Sequence, residues 1–364
     1  ILITTPPLIN EVEVTLIGTG GGYGESIIIK YGNDSWGIID SCINPHTQSP
    51  LALEYLEGIK VDLKKINFIL CTHWHNDHIR GLSILLKKCP NAEFCFARTT
   101  DLRKFLLMVS LDHQKAQKGS PSSTDEFKKC IDALNKSKFP NEVACDQVID
   151  KLNESGIDFT IYSLSPSPKT CHDFNIEISE LITDFGKRST QIINKSPNNK
   201  SVALLFSFGE YRVLLGSDLE VGHDPNEGWL YILKNSKVLD KKRSSLFKLP
   251  HHGSANGYCI DIFNNLLTKD PVLKTTPFKT HDLPRKDMIK VYLNHSNNLF
   301  LTSYNEYNSK PKKRDKSLEK FIVKSVLSIE EIKFTHGIIR SRLDYTKTDS
   351  SWNIELFNAA IKVT

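Results

Sequence analysis

The first stretch of patterned sequence alternates. Residues 11–17 (EVEVTLI) place polar and apolar side chains in turn, which predicts a half-buried β-strand. Residues 27–29 and 36–39 are apolar runs on either side of an Asn33-Asp34 turn and extend the prediction to a β-meander. Residues 51–56 read as a short helix, and residues 66–71 (INFILC) as a buried strand. Residues 79–88 put Ile79, Leu82, Leu85 and Leu86 on one face of a single helix, with Lys87 and Lys88 in a last turn that favours cations. Pro90 blocks its continuation, and residues 93–97 form the next strand.

From residue 101 to 152 the pattern changes to helical spacing with many charges, broken by a soft stretch at 118–124 (KGSPSST). This predicts a helical insertion, a candidate lid or surface for a protein partner, within one domain spanning 11–364. The β pattern resumes at 158–163, 175–181, 202–208 and 211–215. An apolar stretch at 246–250, a helix near 285–293, a strand at 299–303 and a strand pair at 337–345 and 352–356 complete the series. Residues 309–316 (SKPKKRDK) read as a basic, solvated loop, and Arg340 and Arg342 as a solvated strand face. Strands and helices interleave in two halves, so the expected class is an α/β sandwich.

Composition narrows the function classes. Hydrophobic residues at 39% and charged residues at 24% exclude a disordered chain. No apolar run approaches the roughly 20 residues of a membrane span, and residues 1–10 do not form a signal peptide. The eight cysteines form no C-x-x-C pair, which points to reduced thiols in a cytoplasmic protein. A net charge of +5 is compatible with an anionic substrate and says little more.

The chemistry concentrates in Cys71-Thr72-His73-Trp74-His75-Asn76-Asp77-His78. Three of the twelve histidines and an aspartate fall within six residues, after a buried strand and before a helix. In extended chain, side chains at i and i+2 point the same way, so His73 and His75 can grip one ion. Asp77 and His78 fall where the chain turns into the helix and can address a second ion. Neutral imidazole and carboxylate suit zinc and also manganese.

This H-x-H-x-D-H run resembles the hallmark of the metallo-β-lactamase superfamily, and other segments resemble that family in order. Gly18-Thr19-Gly20-Gly21-Gly22 resembles the glycine loop of its tRNA-processing and competence branches. A strand follows that loop, so it is not a dinucleotide fingerprint. Asp40 stands where the family places an aspartate supporting the metal histidines. Asn198 to Val202, followed by Leu214-Leu215-Gly216-Ser217-Asp218, and Leu249-Pro250-His251-His252-Gly253-Ser254 resemble the competence-protein (ComEC-type) branch. The resemblance implies an αββα four-layer sandwich with a helical insertion, two divalent metal ions, and Asp218 as the carboxylate bridging them. It makes His281 a ligand of the second ion, and leaves His251 and His252 open as ligands, phosphate holders or proton donors. Many family members carry a further histidine where this chain reads Ser163-Leu164-Ser165-Pro166-Ser167; His172 is near but out of step.

Two divalent ions carry +4, Asp77 and Asp218 remove 2, and a hydroxide removes 1, so the pocket holds about +1. Such a pocket suits a phosphodiester, and the expected activity is that of a phosphodiesterase or nuclease, with Asp77, His251 and His252 as catalytic residues. Hydrolysis of an ester, lactone or thioester on the same metal core, and a non-catalytic module of a bacterial defence or DNA-uptake system, are the alternatives. A redox di-iron role is disfavoured, because that branch uses a glutamate where this chain has His75.

Overall fold

The computed structural model describes residues 3–19, 24–99, 101–116, 123–134, 139–183, 197–303, 336–347 and 349–364. Its first strands are β1 (Glu11–Thr19), β2 (Glu25–Tyr31), β3 (Ser35–Ile39), β4 (Ile66–Cys71), β5 (Glu93–Ala97) and β6 (Asn141–Val143). They are followed by β7 (Gln147–Glu154), β8 (Ile157–Ser163), β9 (Leu204–Phe208), β10 (Tyr211–Leu215), β11 (Ser244–Lys248) and β12 (Leu267–Thr275). The last four are β13 (Leu299–Leu301), β14 (His336–Asp344), β15 (Asn353–Asn358) and β16 (Ile361–Lys362). One sheet runs β15-β14-β1-β2-β3-β4-β5-β6 and the other β16-β13-β12-β11-β10-β9-β8-β7.

The two sheets stack through one apolar layer, in which Leu16, Ile29 and Leu70 of the first meet Phe159, Phe206 and Leu246 of the second. Helices cover both outer faces. The described helices are α1 (Leu51–Gly58), α2 (Asn76–Ile79), α3 (Leu82–Lys88), α4 (Leu102–Ala116), α5 (Ser123–Ala133), α6 (Pro168–Thr183), α7 (Gly228–Asn235), α8 (Ile260–Asn265) and α9 (Lys286–Leu293). Leu56, Leu85, Phe105, Phe127 and Phe174 bury against the outer face of the first sheet. Trp229, Ile262 and Tyr292 do the same on the second. The result is the expected α/β sandwich of four layers, αββα. Each fully buried aliphatic or aromatic side chain contributes about 1.5–3 kcal/mol, and three such clusters make this arrangement stable without disulfides. All eight cysteines are free, seven of them buried.

Several expectations change on contact with tertiary structure. β1 is buried on both faces, not one. Its polar positions are neutralised: Glu13 accepts from Arg342 Nε at 2.8 Å and from the Tyr55 hydroxyl at 2.6 Å. Arg342 and its neighbour Arg340, which pairs with Glu355, are therefore buried structural cations and not a solvated face. The single helix expected at 79–88 is two, because Gly81 at φ +81° separates α2 from α3. Residues 175–181 are helix, not strand, since Cys171, Phe174, Ile178 and Leu181 share one buried face of α6 that a short alternating window hides. Residues 141–152, placed by composition in the helical insertion, are edge strands β6 and β7. The helices that remain are α4 and α5, and Phe105, Met108 and Phe127 make them part of the core. β12 was not anticipated, and the loop expected at 309–316 lies outside the described residues.

The topology also sets the site. β3 through β6 are parallel, and so are β10 through β13. Ligand sites of α/β sheets lie beyond the carboxyl ends of parallel strands. The segments leaving β3, β4, β10, β11 and β12 carry Asp40, His73 to His78, Asp218, His252 and Thr276 respectively.

Candidate metal centre

The chain leaves β4 extended and enters the single turn α2 with His75 at its cap. Alternation along this exit sends His73 and His75 to one side, where His73 Nε2 lies 3.2 Å from His75 Nδ1. Trp74 goes to the other. Its ring packs between Phe105 of α4, Phe127 of α5 and Phe174 of α6, with centroids 5.1, 6.2 and 5.2 Å away. Gly24, at φ +119°, backs the turn so closely that a β-carbon there would collide with the Asp77 carbonyl oxygen.

Asp40 organises the imidazoles. Its carboxylate accepts from the Thr72 backbone N–H and hydroxyl, both at 2.7 Å, and from His78 Nδ1 at 2.7 Å. With the Thr72 proton committed to Asp40, the Thr72 oxygen is left to accept from His73 Nδ1 at 3.1 Å. His252 is fixed in the same way, its Nδ1 donating to the Thr276 carbonyl at 2.9 Å. In all three rings Nε2 faces the space they enclose. A hydrogen bond on the other ring nitrogen is the usual way a protein orients a metal-binding histidine.

Into that space project Asp77, His78, Asp218 and His252, whose ligand atoms all lie within 4.8 Å of one another. His252 Nε2 is 3.3 Å from Asp77 Oδ2 and 3.5 Å from Asp218 Oδ2. His78 Nε2 is 3.4 Å from Asp218 Oδ1 and 3.6 Å from Asp77 Oδ2. Asp218 also faces the other pair, with Oδ2 3.9 Å from His73 Nε2. His78 Nε2, His252 Nε2 and Asp218 Oδ1 are buried without a hydrogen-bond partner. Two ligands bound to one ion at roughly 2.1 Å in tetrahedral geometry sit about 3.4 Å apart. The orphaned atoms and their spacing therefore fit divalent cations.

The electrostatics are those of a tightly coupled cage. Burial alone would raise the Asp218 carboxyl, but the His252 and His78 rings and Lys248 outweigh it and hold it well below the ordinary range. Asp77 is likewise lowered against burial by His78 and His252. His78 and His252 are raised in spite of burial by the surrounding carboxylates, Asp218 foremost. His73 is pushed well below its usual value by burial and by the His78 and His75 rings, so it is neutral and ready to donate a lone pair.

The expected residues thus divide. His73, His75, Asp77, His78 and Asp218 come together, with Asp40 behind them. Of the open pair, His252 faces the cage, whereas His251 turns to the rim. There His251 Nε2 accepts from Asn198 at 3.1 Å, its Nδ1 donates to Asn256 at 3.1 Å, and Glu220 lies 3.5 Å away. His281 does not join them. A short turn, Lys279–His281, ending at Asp282 with φ +52°, leaves it exposed and stacked on Phe278. His252 takes the place expected of it. His172 is exposed on α6, and Ser165 is occupied by the backbone of Ser201 and Ala203. Two residues had no sequence signal. Lys248 and Glu25 form a buried ion pair beside Asp218, and a lone lysine closing SSLFK reads as a solvated strand end.

A twin-sheet sandwich with imidazoles and carboxylates gathered at its strand ends defines a protein of the α/β class with a candidate metal site. Residues 19–141 match the profile of the metallo-beta-lactamase superfamily. No curated protein sequence matches the chain. Among solved structures, the human tRNase Z short form (ELAC1) is similar at 11% identity, covering 81% of this chain and 94% of that one, with a TM-score of 0.38. The metallo-beta-lactamase SMB-1 with mercaptoacetic acid is similar at 14% identity over 60% of this chain, TM-score 0.31, and the chain spans 66% of its length. A beta-lactamase from Chitinophaga pinensis is similar at 15% identity over 65% of this chain and 78% of that one, TM-score 0.34. No helix among the described residues is long and apolar enough to cross a membrane.

Proposed function

We propose that the chain is a metal-dependent phosphodiesterase or nuclease of the competence-protein (ComEC-type) kind, holding two divalent ions, zinc or manganese. The observation that carries the reading is the enclosure of three partnerless buried atoms, His78 Nε2, His252 Nε2 and Asp218 Oδ1, within one ring of imidazoles and carboxylates. His73 and His75 would hold one ion, Asp77, His78 and His252 the other, and Asp218 both. When bound, such ions supply Lewis acidity and make hydroxide available near neutral pH.

The remaining work falls to side chains. Asp40 and the Thr276 carbonyl keep the rings turned inward, so no reorganisation is needed during the reaction. Asp77 is the more open of the two cage carboxylates, 16% exposed against 3% for Asp218, and would orient the attacking water. His251 at the rim is placed to hold a substrate oxygen or to return a proton to the leaving group. The rim of His251, Asn198, Glu220 and Asn256 offers hydrogen bonds, which favours a phosphodiester over a fatty ester or lactone.

The test is hydrolysis of bis(p-nitrophenyl) phosphate and of single- and double-stranded DNA and RNA by the zinc- or manganese-loaded protein, beside lactone and thioester panels. Turnover of phosphodiesters that is abolished by His75→Ala and by Asp77→Ala is expected. Turnover of lactones or thioesters alone would move the assignment to the second class, and a wild-type protein that binds no metal would end it.

A further inference from the structure

Beneath Asp218 lies a buried charge pair that the reaction as described leaves without a task. Lys248 ends β11 in the second sheet and is 1% exposed; Glu25 opens β2 in the first and is 2% exposed. Their side chains form a direct ion pair across the sandwich. Lys248 Nζ also donates to the Ser217 carbonyl at 3.0 Å and lies 3.9 Å from Asp218 Oδ1.

The Ser217 carbonyl is a junction. Besides the lysine it accepts the His251 backbone N–H at 2.9 Å, so it ties the turn carrying Asp218 to the loop carrying His252. Ser217 itself is held at φ +45°, a conformation uncommon outside glycine. The preceding Gly216 donates its N–H to the Lys248 carbonyl at 3.0 Å, where an added β-carbon would meet that oxygen at 2.9 Å. Backbone and side chain of one lysine therefore grip both ends of a strained turn. Glu25 fixes the lysine from the opposite sheet.

Burying an ammonium and a carboxylate is costly, and an ion pair need not repay that cost in stability. A role in shape is the better account. We infer that Lys248, anchored by Glu25, is a positioning residue that sets the Ser217-Asp218 turn and thereby the aim of the carboxylate shared by the two ions. The inference rests on the metal-dependent reading above. Through this contact the spacing of the two sheets fixes Asp218, borne by one sheet, against His73, His75, Asp77 and His78, borne by the other.

The experiment compares the wild-type chain with the uncharged double variant Lys248→Met/Glu25→Gln. Zinc stoichiometry and affinity are read by chelator competition, and the unfolding midpoint of each metal-free protein by circular dichroism. The variant is expected to unfold near the wild-type midpoint, because buried pairs are often replaceable by uncharged residues of similar volume. Its affinity for at least one zinc ion is expected to fall by about tenfold or more, the usual effect of losing a contact that orients a ligand. A folded variant with wild-type zinc affinity, whatever its midpoint, would overturn the proposal. If the double variant does not fold, Glu25→Gln decides, with weaker zinc binding expected and unchanged affinity overturning the idea. Failure of the wild-type chain to bind zinc is a separate result and strikes the reading of the site itself.

Discussion

Asp40 and His78 stand 38 residues apart in sequence and 2.7 Å apart in space, the aspartate at the end of β3 and the histidine in the turn after β4. The same carboxylate governs His73 through the Thr72 hydroxyl. One buried anion therefore sets the orientation of two imidazoles that face different parts of the cage. Asp40→Asn, which keeps the shape and can present an amide N–H to the ring, is expected to weaken metal affinity by about 10–100-fold with the fold intact. Chelator competition checks this, and affinity within twofold of wild type would rule the orienting role out.

The two adjacent histidines should part company on substitution. His252→Ala is expected to lose one equivalent of metal, since Nε2 of this ring lies against both cage carboxylates. His251→Ala should keep both ions and lose turnover by about 10²–10⁴, the usual contribution of a positioned proton donor. His281→Ala should leave metal content unchanged, because its ring rests on Phe278. Elemental analysis of the three variants separates the outcomes, and loss of metal in His281→Ala would contradict the geometry.

Trp74 links the metal loop to the helices of the insertion. Its ring is 3% exposed among three phenylalanines. Trp74→Ala is expected to cost about 3–5 kcal/mol and to weaken the ion held by His73 and His75, whereas Trp74→Phe should lose much less of both. Denaturant unfolding and metal titration together test the link, and full metal affinity in a destabilised Trp74→Ala would break it.

Lys30 gives the fold a pH signature away from the cage. Its ammonium donates to the carbonyls of Leu8, Ile9 and Glu11, yet burial, against the pull of Glu11 and other carboxylates, lowers it from 10.5 to about 8. Between those two values the unfolded chain holds a proton that the folded chain has released, so stability rises with pH across the window. The gain is complete above 10.5, is lost as pH falls through 8, and is on the order of 3 kcal/mol. Denaturant unfolding from pH 7.5 to 10.5 should show this slope in the wild type relative to Lys30→Met, and equal slopes would refute it.

Local pattern was enough for much of this protein. A strand ending in H-x-H-x-D-H gathers four candidate ligands by chain geometry alone, because neighbours in sequence must be neighbours in space. Most strands announced themselves through runs of β-branched and aromatic residues. The partners contributed by other elements were legible only through resemblance to a family; the structure sets Asp40 and Asp218 beside the imidazole cluster and His281 apart from it.

What tertiary structure decided were relations between distant segments. The parallel order of β10, β11 and β12 brings the turn at Asp218, the loop at His252 and the Thr276 carbonyl side by side, and so selects His252 over His281 for the cage. Residues 175–181 became helix because a four-residue spacing found an aromatic layer to bury against, which no short window could reveal. Lys248 and Glu25 carry no local sign of burial, since each is charged and each finds its counter-ion across the sandwich. Sequence dictates what a segment can form by itself; the value of a buried charge depends on the group that closes over it, and that group is chosen by the packing of two sheets.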